Sequence, residues 1–212
     1  MAKAVLVTGG TVRIGKAIAD CLRARGWRVV TSSHRAEAGA DVTIDLADAT
    51  GPAKLYAAAC EKAGGSLDAI VNNAGLFTGD PLVLEAVNLI APKKLTMMLA
   101  GREDGVGAVV NLVDLKTHDD PYGRTKSRLV EYTRRSACLY AETLRVNAVA
   151  PGPVVAPRGV HELAGDLLTD RRPTASDVAT AVAFLLETES VTGVVLPVDA
   201  GQHLLLEENS DD

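Results

Sequence analysis

Tyr122 and Lys126 stand four positions apart in Tyr122-Gly123-Arg124-Thr125-Lys126. On a helix that spacing puts both side chains on one face. An ammonium beside a phenol stabilises the phenolate, so Lys126 is expected to lower the Tyr122 pKa. A tyrosine so tuned donates a proton to a carbonyl or imine group near neutral pH. The same spacing also describes an ordinary exposed helix face, so the pair gains meaning only from its company. That company is a glycine-rich turn, Thr8-Gly9-Gly10-Thr11-Val12-Arg13-Ile14-Gly15, and a later Asn72-Asn73-Ala74-Gly75.

A glycine-rich turn between a strand and a helix lets the backbone approach a diphosphate. The helix start supplies free N–H groups and a positive dipole end. Turns of this composition also serve as plain turns. Arg13 takes the place of the pattern's middle glycine. Either its guanidinium adds charge near the diphosphate or the substrate, or it is a surface arginine in a first helical turn. In NAD-binding sheets an acid ends the second strand and holds the ribose 2′-hydroxyl. Here the residues are Ser32-Ser33-His34-Arg35, with no acid among them. An arginine with hydroxyl and imidazole donors suits a 2′-phosphate, so the pattern favours NADP(H) over NAD(H). Glu37 opposes this weakly if it turns inward. Asp45 either accepts from the adenine amine or caps its own loop.

The elements that must position these residues alternate along the chain. Short apolar, β-branched runs read as strands at 4–7, 28–32, 42–44, 69–71, 108–112, 145–149 and 194–198. Apolar residues at three- and four-residue spacing read as helices at 13–25, 52–63, 84–100, 122–139 and 176–186. Gly26 stops the first helix. Asp119-Asp120-Pro121 reads as the entry to the helix that carries Tyr122. Short strands joined by helices argue a parallel sheet covered on both faces.

At 212 residues the chain reads as one domain, long enough for a real core. With 47% hydrophobic and 23% charged residues it is neither disordered nor collagenous. A net charge of -5 argues against a nucleic-acid surface. No apolar run approaches the roughly 20 residues of a membrane helix. The Met1–Val5 start leaves no room for a signal peptide. Cys21, Cys60 and Cys138 are odd in number and scattered, which fits a reducing cytoplasm, and they read as buried small apolar side chains. His34, His118, His161 and His203 show no ligand spacing, so no metal site is expected.

Taken together, these motifs carry a resemblance. So do Asn147-Ala148-Val149-Ala150-Pro151-Gly152, Val191-Thr192-Gly193 and Val198-Asp199-Ala200-Gly201. Over nearly its whole length the chain resembles the short-chain dehydrogenase/reductase family. The resemblance implies an α/β Rossmann fold: a doubly wound sheet of seven parallel strands in one domain, 1–206, followed by an acidic tail, 207–212. It implies direct hydride transfer from a nicotinamide with Tyr122 as acid/base. Lys126 would hold the nicotinamide ribose and tune Tyr122, and Asn88 would order a proton-relay water. The cofactor, NADPH, would meet Gly9, Arg13, Ile14 and Gly15 at the diphosphate and Ser33, His34 and Arg35 at the 2′-phosphate. Asp45, Leu46, Asn73, Ala74, Pro151 and Gly152 would complete its site. A cytoplasmic homo-oligomer, a tetramer or dimer built on the helices of 88–100 and 122–139, is also implied.

Within the family the chain looks most like the pteridine reductase and dihydromonapterin reductase branch. Arg13 and Ser33-His34-Arg35 resemble that branch. Phe77 falls where it stacks a phenylalanine on the pterin, or else is a packing residue. Asp114 falls where most of the family has a catalytic serine and this branch has aspartate, although a strand-end cap would use the same residue. Arg13, Phe77, Asp114 and Tyr122 would then bound the substrate. Gly75 and Leu76 replace the branch's serines, and Asp114 and Tyr122 are only eight positions apart, so the loop between them is short. Pro153-Val154-Val155-Ala156 lacks a threonine for the carboxamide, and Pro157 to Arg172 is brief for a lid. His118 lies in the short loop. A small mouth or an open site is expected. The leading expectation is an NADPH-dependent pterin or dihydropterin reductase. The alternatives are a general carbonyl reductase for 3-oxoacyl chains or small ketones, and a cofactor-binding protein without catalysis.

Overall fold

The computed structural model describes residues 2–102, 105–115, 120–154 and 167–208. His118, His161 and most of the tail lie outside them. The strands are β1 (Ala4–Thr8), β2 (Arg28–Ser33), β3 (Val42–Thr43), β4 (Ala69–Asn72), β5 (Gly107–Leu112), β6 (Leu144–Pro151) and β7 (Val195–Val198). They form one parallel sheet in the order β3-β2-β1-β4-β5-β6-β7. The helices are α1 (Arg13–Ala24), α2 (Gly51–Ala63), α3 (Pro81–Glu85), α4 (Ala91–Ala100), α5 (Pro121–Leu139), α6 (Ala175–Glu187) and α7 (Gln202–Glu208). The doubly wound, seven-stranded expectation is borne out.

Apolar runs such as Val5-Leu6-Val7 are fully buried because helices cover both faces of the sheet. On one side Ile18 and Leu22 of α1 pack with Val178 and Val182 of α6. On the other, Leu55 and Ala59 of α2 pack with Leu95 and Leu99 of α4. Each such leucine contributes about 1.5–3 kcal/mol by leaving water. The chain runs outward from β1 to β3, then returns through α2 to place β4 on the other side of β1. Strand order reverses between β1 and β4, and a crevice opens at their carboxyl ends. Thr8-Gly9 and Asn72-Asn73 are those ends.

Helix entries follow the sequence signals. Asp120 caps α5, its Oδ1 accepting from the Gly123 N–H at 2.7 Å, with Pro121 in the first turn. Thr174 and Asp177 cap α6 reciprocally. Three features differ from expectation. The segment read as one helix over 84–100 begins at Pro81 under an Asp80 cap, and a π-helical turn, Ala86–Ile90, separates α3 from α4. The helix α7 runs into the segment expected as an acidic tail, and Asp199 caps its start. Cys138 is exposed and Cys21 and Cys60 are half-buried, not core residues. At Cys138 the buried face of α5, running through Thr133, Ser136 and Ala137, has turned away. No helix among the described residues is long and apolar enough to cross a membrane.

Candidate active site

The turn after β1 is built around absent side chains. Gly9 has φ +63°. A Cβ on Gly15 would lie 2.2 Å from the Gly9 carbonyl oxygen, so only glycine lets α1 start this close to the strand. Val12 gives α1 no side-chain cap and its first turn holds no acid, which leaves N–H groups for an anion. Arg13 itself has φ +54°, a left-handed conformation that costs a non-glycine residue roughly 1 kcal/mol. Thr8 ties the ends of β1 and β4 together: its Oγ1 accepts from the Asn73 and Ala74 N–H groups, both at 3.0 Å. The Asn73 amide donates to the Thr8 and Gly9 carbonyls. Thr8 escaped the sequence reading, though it opens the glycine motif.

At the end of β2 the three expected residues gather. Ser33 Oγ accepts from the Arg35 N–H at 3.0 Å, and Arg35 Nε donates to His34 Nε2 at 3.1 Å. Both longer side chains are exposed, as is Glu37 on the next turn. Asp45 Oδ1 accepts from the Ala47 N–H at 2.9 Å and so caps its own loop, while Leu46 is buried in the core. A glycine-only turn, an uncapped helix start and a cation without a neighbouring strand-end acid fit a dinucleotide bearing a 2′-phosphate.

Tyr122, at the start of α5, donates its hydroxyl to Asp114 Oδ2 at 3.0 Å. The short loop therefore still brings the two together. The Phe77 ring lies 4.8 Å from the Tyr122 ring, tilted by 58°. It is 43% exposed. Asn88, in the π turn, is fully buried. Its Oδ1 accepts from the Leu76 N–H and its Nδ2 donates to the Leu76 carbonyl, each at 2.8 Å, and to Thr125 Oγ1 at 3.3 Å. Thr125 Oγ1 in turn donates to the Tyr122 carbonyl at 2.7 Å. One buried amide thus ties the Phe77 loop to the first turn of α5.

Lys126 corrects one expectation. Its ammonium donates to the Leu112 carbonyl at 2.8 Å and lies 5.9 Å from the Tyr122 ring centroid. It does not lower the Tyr122 pKa in the free chain. Burial and the Asp114 carboxylate, which accepts the phenolic proton, hold that pKa well above the usual range. Tyr122 is therefore a protonated donor. Burial pushes Lys126 down to about 8 from 10.5, against a weaker pull from Asp114. The folded chain then binds fewer protons than the unfolded chain between those values. The cost of burying Lys126 is full below pH 8, falls as pH rises towards 10.5, and is gone above it. Lys126→Met should stabilise the apoprotein at pH 7 by on the order of 2 kcal/mol, after about 1 kcal/mol is lost with the Leu112 hydrogen bond. Denaturant titrations of both proteins at pH 7 and pH 10.5 check this: the gap should close at the higher pH, and a gap independent of pH would contradict it.

Pro151 and Gly152 end β6 beside β7. A Cβ on Gly152 would meet the Asp199 Cα at 2.6 Å, so this contact needs glycine. Asp199 Oδ2 lies 2.8 Å from His203 Nδ1. This Asp–His pair was not singled out in the sequence. Asp199 and His203 are four positions apart, a signal present in the sequence.

A model of the family described as Enoyl-(Acyl carrier protein) reductase matches residues 11–203. Protein FixR of Bradyrhizobium diazoefficiens is 29% identical over 95% of this chain and 87% of its own length. Levodione reductase of Leifsonia aquatica is 30% identical over 94% of each. The crystal structure of FolM alternative dihydrofolate reductase 1 from Brucella canis complexed with NADP superposes with a TM-score of 0.88. It is 29% identical, over 95% of this chain and 94% of that one.

Proposed function

The chain belongs to the short-chain dehydrogenase/reductase family, and on that premise we propose that it reduces a dihydropterin-like C=N bond with NADPH. It is an NADP-dependent oxidoreductase of that family. The observation that carries the substrate reading is the carboxylate of Asp114 bonded to the Tyr122 hydroxyl, with the exposed Phe77 ring against the same tyrosine. An acid beside a phenol can serve a ring nitrogen, which a serine could only hydrogen-bond. The flat face of Phe77 suits a flat heterocycle. The solved relative that is an alternative dihydrofolate reductase agrees with that chemistry.

NADPH, when bound, supplies the hydride. The Thr8–Gly15 turn with Arg13 would hold its diphosphate, Ser33, His34 and Arg35 its 2′-phosphate, and Asn73, Ala74, Pro151 and Gly152 the inner part. Tyr122 gives its proton to the substrate nitrogen, and Asp114 supports that donor. Lys126 would take the ribose hydroxyls. The Asn88 side chain is committed to Leu76 and Thr125. Any water it orders is therefore held by its main chain. We further propose that the protein works as a cytoplasmic homo-oligomer, a tetramer or dimer, through the outer faces of α4 and α5.

A general carbonyl reductase is the second reading, favoured by Gly75. A side chain there would approach Asn88 Oδ1 at 3.3 Å and the Lys126 ammonium at 3.6 Å, so the position offers the substrate no hydroxyl. Kinetics with one dihydropterin and one ketone separate the two. Phe77→Ala should raise the dihydropterin KM roughly threefold to tenfold, the worth of one ring stack, with less effect on kcat. Asp114→Ser should depress dihydropterin turnover and spare the ketone. If both variants lower both substrates equally, or the wild type ignores dihydropterins, the carbonyl reductase reading replaces this one.

A further inference from the structure

His203 lines two cavities, and Asp114 lines the smaller of them. The first is small, about 10 Å³, walled by Asp114, Leu115, Gly152, Gln202 and His203 among others. That is the lower end of the space one water needs. The second is a broad cleft of about 560 Å³, lined by Thr169, Arg171, Asp177, Asp199 and His203 among others. His203 therefore stands between Asp114 and the cleft.

Its seat is built with care for orientation. Asp199 is buried. One carboxylate oxygen accepts from the Gly201 N–H at 3.0 Å, and the other from the His203 N–H at 2.9 Å. That second oxygen also meets His203 Nδ1 at 2.8 Å. A carboxylate on Nδ1 keeps a hydrogen there and leaves Nε2 as the exchanging atom. The backbone bends through Ala200 at φ +57° and Gly201 at φ +79°. Ala200 is held in this strained shape by the Leu168 and Thr169 N–H groups on its carbonyl. A helix cap alone would need Asp199 but no imidazole, since any residue at 203 offers the same backbone N–H.

We infer that Asp199 and His203 form a proton relay that resupplies Tyr122 through Asp114 after each reduction. The inference rests on the reductase reading, not on the choice between imine and ketone. Each turnover adds a hydride and one proton to the substrate double bond, and the proton leaves Tyr122 as phenolate. Protonated His203 gives its Nε2 hydrogen to a water in the small cavity. That water passes a proton to the Asp114 carboxylate, and the Asp114 carboxyl passes its proton to the phenolate. No electrons move in these steps. The neutral imidazole regains a proton from solvent in the cleft. Arg171 and Arg172 also line the cleft, with Asp177 3.7 Å from Arg171.

The test is NADPH oxidation in dilute buffer with dihydrobiopterin and with cyclohexanone, by wild type, His203→Ala and His203→Gln. With whichever probe the wild type reduces, both variants should lose kcat by about tenfold at unchanged KM, less than the loss of the group that meets the substrate itself. Free imidazole should restore His203→Ala, and both variants should melt near the wild-type temperature. Variants as fast as wild type in dilute buffer, or a loss of rate that imidazole leaves in place, make Asp199–His203 a helix cap and overturn the relay. A wild type that reduces neither probe removes the reductase reading, and the relay falls with it.

Discussion

Replacing Tyr122 by phenylalanine is expected to lower turnover about 100-fold or more while leaving NADPH affinity intact. The ring that packs 4.8 Å from Phe77 remains, so the pocket keeps its shape. What goes is the hydroxyl that donates to Asp114 at 3.0 Å. With its pKa held high by burial and by that carboxylate, Tyr122 is protonated across the physiological range and acts as an acid. Steady-state rates beside a binary-complex titration with NADPH check both halves. A variant reducing its best substrate at near wild-type rate would remove Tyr122 from the mechanism.

Arg35→Ala should weaken NADPH roughly 10- to 150-fold, the equivalent of about 1.5–3 kcal/mol for a lost charge-assisted contact. NADH binding should barely change. Ser33 and His34 bond to Arg35 and orient it, so their contribution is felt through its position. Quenching of protein fluorescence by each nucleotide measures the two affinities. Equal binding of NADH and NADPH by the wild type would refute the assignment of this loop.

The sheet was legible because each strand buried on both faces writes a short, unbroken apolar run, as in Val5-Leu6-Val7 and Val109-Val110. The glycine turn and the Tyr122–Lys126 spacing were equally plain, since both depend on local geometry. What escaped depends on where neighbours fall in space. Spacing along α5 said that Lys126 shares a face with Tyr122, but not that the Leu112 carbonyl would claim its ammonium. The π turn was invisible because its residues have ordinary helical preferences. Asp199 and His203 were missed because a carboxylate that caps a helix and one that orients an imidazole look alike until the turn between them is seen.

Asn88 grips the loop after β4 by the N–H and carbonyl of Leu76, not by any side chain. Main-chain atoms are the same whatever residue occupies the position. This part of the loop's anchorage is thus independent of its spelling, although the Leu76 side chain also packs on the core. Exchanges at the exposed Phe77 beside it alter what the pocket touches without breaking the hydrogen bonds of the frame that aims Tyr122. A scaffold wired this way can drift from one substrate to another by single steps, each passing through a working enzyme. Changes at Asn88 or Thr125 carry no such freedom, because they dissolve the frame for every substrate at once.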